Sequence, residues 1–68
     1  MEPQDEVASD FMRRKGYPDI KPYNVDKLEG QPCWYYLYDL PEGTLELEVS
    51  YDRETGWNPY VTTFNLVS

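Results

Sequence analysis

Few residues of this chain could do chemistry. It has no histidine, the commonest general base and metal ligand near neutral pH. Its one cysteine, Cys33, therefore has no imidazole to take its proton, and a lone thiol among apolar residues packs as a small core side chain. Ser9, Ser50 and Ser68 stand in no nucleophile motif, and the sequence holds no glycine-rich phosphate loop and no Cys/His zinc pattern. Glu46 and Glu48 are two apart, which on a strand puts both carboxylates on one face, as a glycosidase pair would need. Alternating acids on a half-exposed strand are more often its solvated side. Asp52-Arg53-Glu54 has too few ligand oxygens for a calcium loop. The sequence thus predicts a protein that is not an enzyme and uses no metal or cofactor.

The stretch that stands out is aromatic and acidic. Cys33–Tyr51 comprises two β-rich runs joined by Pro41-Glu42-Gly43, a hairpin signal. In the second run Leu45, Leu47, Val49 and Tyr51 alternate with Thr44, Glu46, Glu48 and Ser50, the pattern of a half-buried antiparallel strand. Pro41 suits the first position of a type I turn, and Gly43 suits a left-handed residue closing a three-residue loop. That loop pairs Leu40 with Thr44, Tyr38 with Glu46, Tyr36 with Glu48 and Trp34 with Ser50. It places Cys33, Tyr35, Leu37, Leu45, Leu47, Val49 and Tyr51 in a core. The other face then carries Trp34, Tyr36 and Tyr38 beside Glu46 and Glu48, with Trp57 extending the patch from the last strand. Slippage by one residue would exchange the faces of one strand, because side chains alternate with period two. Two readings of the three rings follow: they form a binding patch, or they belong to the packed interior.

These strands need neighbours. Pro3 to Lys15 predicts a helix, with proline at its start, Asp5 and Glu6 in the first turn, Arg13, Arg14 and Lys15 in the last, then Gly16 and Pro18 as stop signals. Val7, Ala8, Phe11 and Met12 form one apolar stripe, too short to be stable unless it lies on a sheet. A first edge strand is expected over about 22–28, beginning after Pro22. Further strands are expected over about 32–40, 44–52 and 57–66. Asp52 to Gly56 supplies the second turn. On the final strand the simplest register turns Tyr60, Thr62 and Phe64 to the core, and Pro59 marks an edge. The predicted fold is α+β, one N-terminal helix packed on a four-stranded antiparallel β-meander, as a single small domain over 1–68. One helix covers one sheet face, so the other is solvated or used.

A chain of 68 residues buries only about 60% of its unfolded surface, so its eleven aromatic residues (two Trp, seven Tyr, two Phe) matter to its core. A single cysteine gives no internal disulfide, no run is apolar enough to span a bilayer, and the first residues are acidic, the opposite of a secretory signal. The expectation is a cytoplasmic protein. The net charge is −7, and Arg53 alone opposes the seven acids of residues 29–68 (Glu29, Asp39, Glu42, Glu46, Glu48, Asp52, Glu54), a local balance of −6. Such a field repels nucleic acid and anionic membranes and attracts basic partners.

The order of elements, Gly16 after the helix, the Tyr-rich central strand and Asp52-Arg53-Glu54-Thr55-Gly56 before Trp57 resemble a PepSY-type domain over roughly residues 7–64. The resemblance implies a helix on an antiparallel sheet, no catalytic residues, and an association with restraining proteases; members are commonly exported. The expected function is a non-catalytic interaction or regulatory module that binds a protein partner, or a second copy, through Trp34, Tyr36, Tyr38, Glu46, Glu48 and Trp57. The alternative is an acidic nucleic-acid mimic that inhibits a DNA- or RNA-binding protein. Neither reading involves direct binding to nucleic acid or to a membrane.

Overall fold

The computed structural model describes residues 2–66; Met1, Val67 and Ser68 lie outside them. Helix α1 spans Pro3–Lys15, the predicted bounds. Pro3 sits in the first turn, where a missing N–H costs nothing, and the charged residues of the two end turns complement the helix dipole. Gly16 turns left-handed at φ 106°, and the N–H groups of Gly16 and Tyr17 donate to the carbonyls of Arg13 and Met12 at 3.1 and 2.9 Å. This closes the helix and sends the chain back toward the sheet.

Four strands follow, β1 (Asn24–Lys27), β2 (Cys33–Leu40), β3 (Gly43–Asp52) and β4 (Gly56–Leu66), paired antiparallel in the order β1-β2-β3-β4. The fold is the predicted α+β meander with one covering helix. Strand β1 is shorter than expected, and Pro22, which has no N–H to donate, stays outside it; pairing begins where Tyr23 donates to the Leu37 carbonyl at 2.8 Å. The β3–β4 turn follows its sequence. Asp52 pairs with Gly56, the Asp52 carboxylate accepts the Glu54 amide at 2.7 Å, and Gly56 takes φ 83°.

The central hairpin departs from its predicted register. Its loop has two residues, Pro41 and Glu42, and Leu40 pairs with Gly43 rather than Thr44. Gly43 belongs to β3 because the backbone of β4 closes on it: a Cβ at Gly43 would lie 1.9 Å from the Asn65 carbonyl oxygen. The shift of one residue reverses β2 relative to β3. Tyr38 now pairs with Leu45, Tyr36 with Leu47 and Trp34 with Val49, while Leu37 pairs with Glu46 and Tyr35 with Glu48. Paired residues point to the same side, so Trp34, Tyr36 and Tyr38 join the core. Tyr35 and Leu37, expected inside, lie on the other face, and Tyr51 is exposed. Cys33 is buried but pairs with Ser50 on that other face.

The core sits between α1 and the sheet, with the helix packed on β3 and β4. Met12 is fully buried and Ala8 nearly so; they meet Tyr36, Tyr38, Leu40, Leu45, Leu47 and Val49, with Val7, Phe11, Trp34, Trp57 and Val61 packed around them. Strand β4 carries one irregularity. Glu46 pairs with Thr63 but Leu47 with Val61, which leaves Thr62 as an extra residue. The register set by the Asp52–Gly56 turn puts Val61 rather than the expected Tyr60 and Thr62 on the core side and leaves Tyr60 66% exposed on the opposite face; the extra residue at Thr62 then returns Phe64 to the core side beside Leu45.

The close approach at Gly43 makes a specific prediction. Gly43→Ala has no flexible neighbour to displace and should cost on the order of 2–3 kcal/mol in urea unfolding, a large part of the total for so small a domain. Gly56→Ala meets open space and carries only the left-handed strain, about 1–2 kcal/mol. Equal losses at the two positions would contradict the β4 approach.

Candidate protein-interaction face

The face of the sheet away from α1 is built from alternate residues of all four strands. Strand β1 contributes Asp26, paired with Tyr35; β2 contributes Tyr35, Leu37 and Asp39; β3 contributes Glu46 and Glu48; β4 contributes Tyr60, paired with Glu48. Four carboxylates therefore share this face, and no Lys or Arg falls at a strand position on it. Tyr35 and Leu37 are half-buried between the acids, and Tyr60 stands free. The Thr62 hydroxyl donates to the Glu46 carboxylate at 2.6 Å, so the β4 bulge fixes one acid in place. The Cys33 thiol reaches the Glu48 carboxylate at 3.5 Å. Burial pushes the Cys33 thiol up, a Tyr35 hydrogen bond partly offsets this, and Glu48 adds to it.

Of the residues expected to form the patch, Glu46 and Glu48 are on this open face. Tyr36 and Tyr38 are not; each is 2% exposed under the helix. Trp34 and Trp57 do come together, with ring centroids 5.5 Å apart, but on the helix side. Tyr51 meets Trp57 edge-on at 5.1 Å, and the Lys27 ammonium lies 5.4 Å from the Trp34 ring, a cation–π contact that closes the cluster. Sequence reasoning missed Asp26, Asp39, Tyr35, Leu37 and Tyr60. For Tyr35 and Leu37 the signal was in the hairpin turn: a two-residue loop at Pro41-Glu42 would have put them beside the acids. For Tyr60 the signal was the Asp52–Gly56 turn, whose pairing, carried along the two strands, sets Tyr60 opposite Glu48.

Beneath the helix, Tyr36 ties the two layers together. Its hydroxyl donates to the Asp5 carboxylate in the first turn of α1 at 2.6 Å. Burial raises the Tyr36 phenol far above its ordinary value, with the Asp5 bond and charge adding to it. Burial likewise pushes Tyr38 up to about 12, reinforced by Asp5. Both groups are thus held neutral in the folded state. Among the described residues no group of three or more acids or cysteines is placed to hold a metal ion, and no helix is long and apolar enough to cross a membrane. A groove of about 210 Å³ between α1 and β4 is small for a metabolite site.

No protein-family model, curated protein or solved structure matches this chain.

The two buried phenols set an alkaline limit. Their folded pKa values lie above the unfolded value near 10, so the folded state holds the protons longer. The stability they confer is intact below pH 10 and is lost as pH rises through the folded values. Urea midpoints should be flat up to about pH 9 and fall steeply toward about pH 12, with phenolate absorbance of these residues appearing only on unfolding. Tyr36→Phe should lower stability by about 1 kcal/mol at neutral pH and make the alkaline fall shallower. An unchanged pH profile in that variant would contradict the Tyr36–Asp5 tie.

Proposed function

We propose that this protein is a non-catalytic interaction module that binds a basic protein partner through the open sheet face. The observation that carries the reading is the composition of that face: Asp26, Asp39, Glu46 and Glu48 surround Tyr35, Leu37 and Tyr60 with no base among the strand positions. A partner that presents Lys or Arg around an apolar centre complements it in both charge and character. The apolar and aromatic centre supplies affinity, and the acids steer encounter and reject acidic partners. The resemblance to PepSY-type domains, which are associated with restraining proteases, is in keeping with this reading. The patch keeps only Glu46 and Glu48 of the one the sequence predicts, with Tyr35, Leu37, Tyr60, Asp26 and Asp39 in place of Trp34, Tyr36, Tyr38 and Trp57.

The four carboxylates also favour a second reading, a mimic of nucleic acid that occupies a DNA- or RNA-binding protein. The two readings part on what carries the affinity. The test is an NMR titration of isotope-labelled protein with two synthetic peptides, one alternating Arg and Leu, the other Arg and Gly. For the interaction module, shifts cluster at Tyr35, Leu37, Glu46, Glu48 and Tyr60, the Arg/Leu peptide binds more tightly, and Leu37→Ser with Tyr60→Ala weakens it about tenfold. For the mimic, both peptides bind alike, the double variant has no effect, and affinity collapses with salt. Shifts confined to the helix side would overturn both.

A further inference from the structure

A second cleft opens on the helix side, away from β4, and three segments of the chain wall it. The helix contributes Asp5, Ala8 and Ser9, which share one side of α1 at i, i+3 and i+4. Strand β2 contributes Tyr36 and Tyr38, two apart and so on one face. Lys21 and Pro22, from the segment before β1, form the third wall. The volume, about 210 Å³, does not by itself mark a site. It equals that of the groove between α1 and β4, and both lie below the ~300–1,000 Å³ of pockets for drug-sized ligands.

The polar groups set this cleft apart. Tyr38 is 2% exposed, and its hydroxyl makes no hydrogen bond to a described residue, whereas the Tyr36 hydroxyl donates to Asp5. Among the described residues no side-chain oxygen sealed from solvent lacks a partner, so the Tyr38 oxygen is not sealed; it opens into the cleft that Tyr38 lines. Asp5 uses Oδ1 for Tyr36, and no described side chain donates to its Oδ2. Lys21 is exposed and has no ion-pair partner among the described residues. Asp5 and Lys21 therefore line one cleft with opposite charges and do not meet. A lone cation entering it is opposed by Lys21, and a lone anion by Asp5. A molecule that carries both charges close together is opposed by neither.

We propose that this cleft binds a free α-amino acid with a small apolar side chain. Its ammonium sits on the second oxygen of Asp5 and its carboxylate on Lys21, whose four-carbon stem lets the charge reach over the ligand. The Tyr38 hydroxyl gains the hydrogen bond that no described residue gives it. Ala8, Pro22 and the two phenol rings enclose the side chain. The ligand joins α1, β2 and the Lys21–Pro22 segment, and the inference does not rest on what binds the open sheet face.

The test is an NMR titration of the isotope-labelled full chain with L-valine, and with methylamine and acetate as its separated charges. Saturable shifts are expected at Ala8, Ser9, Lys21, Tyr36 and Tyr38, with valine bound roughly tenfold more tightly than either half. Tyr38→Phe should weaken valine about tenfold and leave the urea midpoint at neutral pH in place, because the hydroxyl bonds no described residue. Lys21→Met, a change at an exposed position that the fold does not need, should weaken valine about tenfold and spare methylamine. An absence of shifts at these residues up to the solubility limit of valine overturns the proposal. So does valine binding that methylamine or acetate matches, or that either variant leaves unchanged. Shifts confined to Tyr35 and Tyr60 would place the ligand on the open face and overturn it equally.

Discussion

Two strands lie so close at Gly43 that no side chain fits between them, and the arrangement of the sheet depends on that contact. Because the backbone of β4 occupies the space a Cβ would need, Gly43 must be a strand residue and the preceding loop must be short. The loop length decides the register of β2 on β3, and the register decides which aromatic rings are covered. Tyr36 and Tyr38 are core residues in the register that this short turn sets, and burial under α1 with the Tyr36–Asp5 hydrogen bond fits that register.

Where local rules governed, the sequence was legible. The helix bounds, its charged ends, the Gly16 cap and the Asp52–Gly56 turn all rest on interactions within a few residues, and each is as the residue types dictate. The alternation of Leu45, Leu47 and Val49 with Glu46 and Glu48 also marked the two faces of β3 correctly. Strand β2 was different. Nearly every position from Cys33 to Leu40 is apolar or aromatic, so periodicity offers no choice between its faces. Only the turn could choose, and Gly43 has two good uses: as a left-handed loop residue, or as a strand residue that admits a neighbouring backbone. The second depends on residues 65 and 66, more than twenty positions away, and no local pattern reports it. The bulge in β4 is invisible for the same reason.

The candidate site was half legible as a result. Glu46 and Glu48 were identified with their face, Asp26 and Asp39 were not, and the aromatic members were assigned to the wrong sides of their strands. The helix side spends its aromatics on packing: Trp34, Tyr51 and Trp57 make one cluster, and Tyr36 adds a hydrogen bond to Asp5 that holds the first turn of α1 on the sheet. The open side keeps its acids accessible around a smaller apolar centre. One strand of near-continuous hydrophobicity serves both, which is why β2 is central and why its two faces resemble one another in sequence but not in role.

The docking of α1 on β3 and β4 also bears on the order in which the fold can form. The helix lies at the start of the chain, yet its apolar stripe is buried by strands some thirty to sixty positions later. Thirteen residues with four apolar side chains are too few to hold a helix in water. During synthesis this segment emerges before β3 and β4, and its apolar stripe lacks the surface it packs on until both strands have been made. The hairpins, whose contacts are close in sequence, are free to form ahead of it. Until the helix closes over them, Tyr36, Tyr38, Leu45 and Leu47 remain open to solvent and to other chains. The acids alternating along β3 lie on the opposite face of the same strand and set a charge next to each of these apolar residues in the chain, the pattern that limits strand-to-strand aggregation.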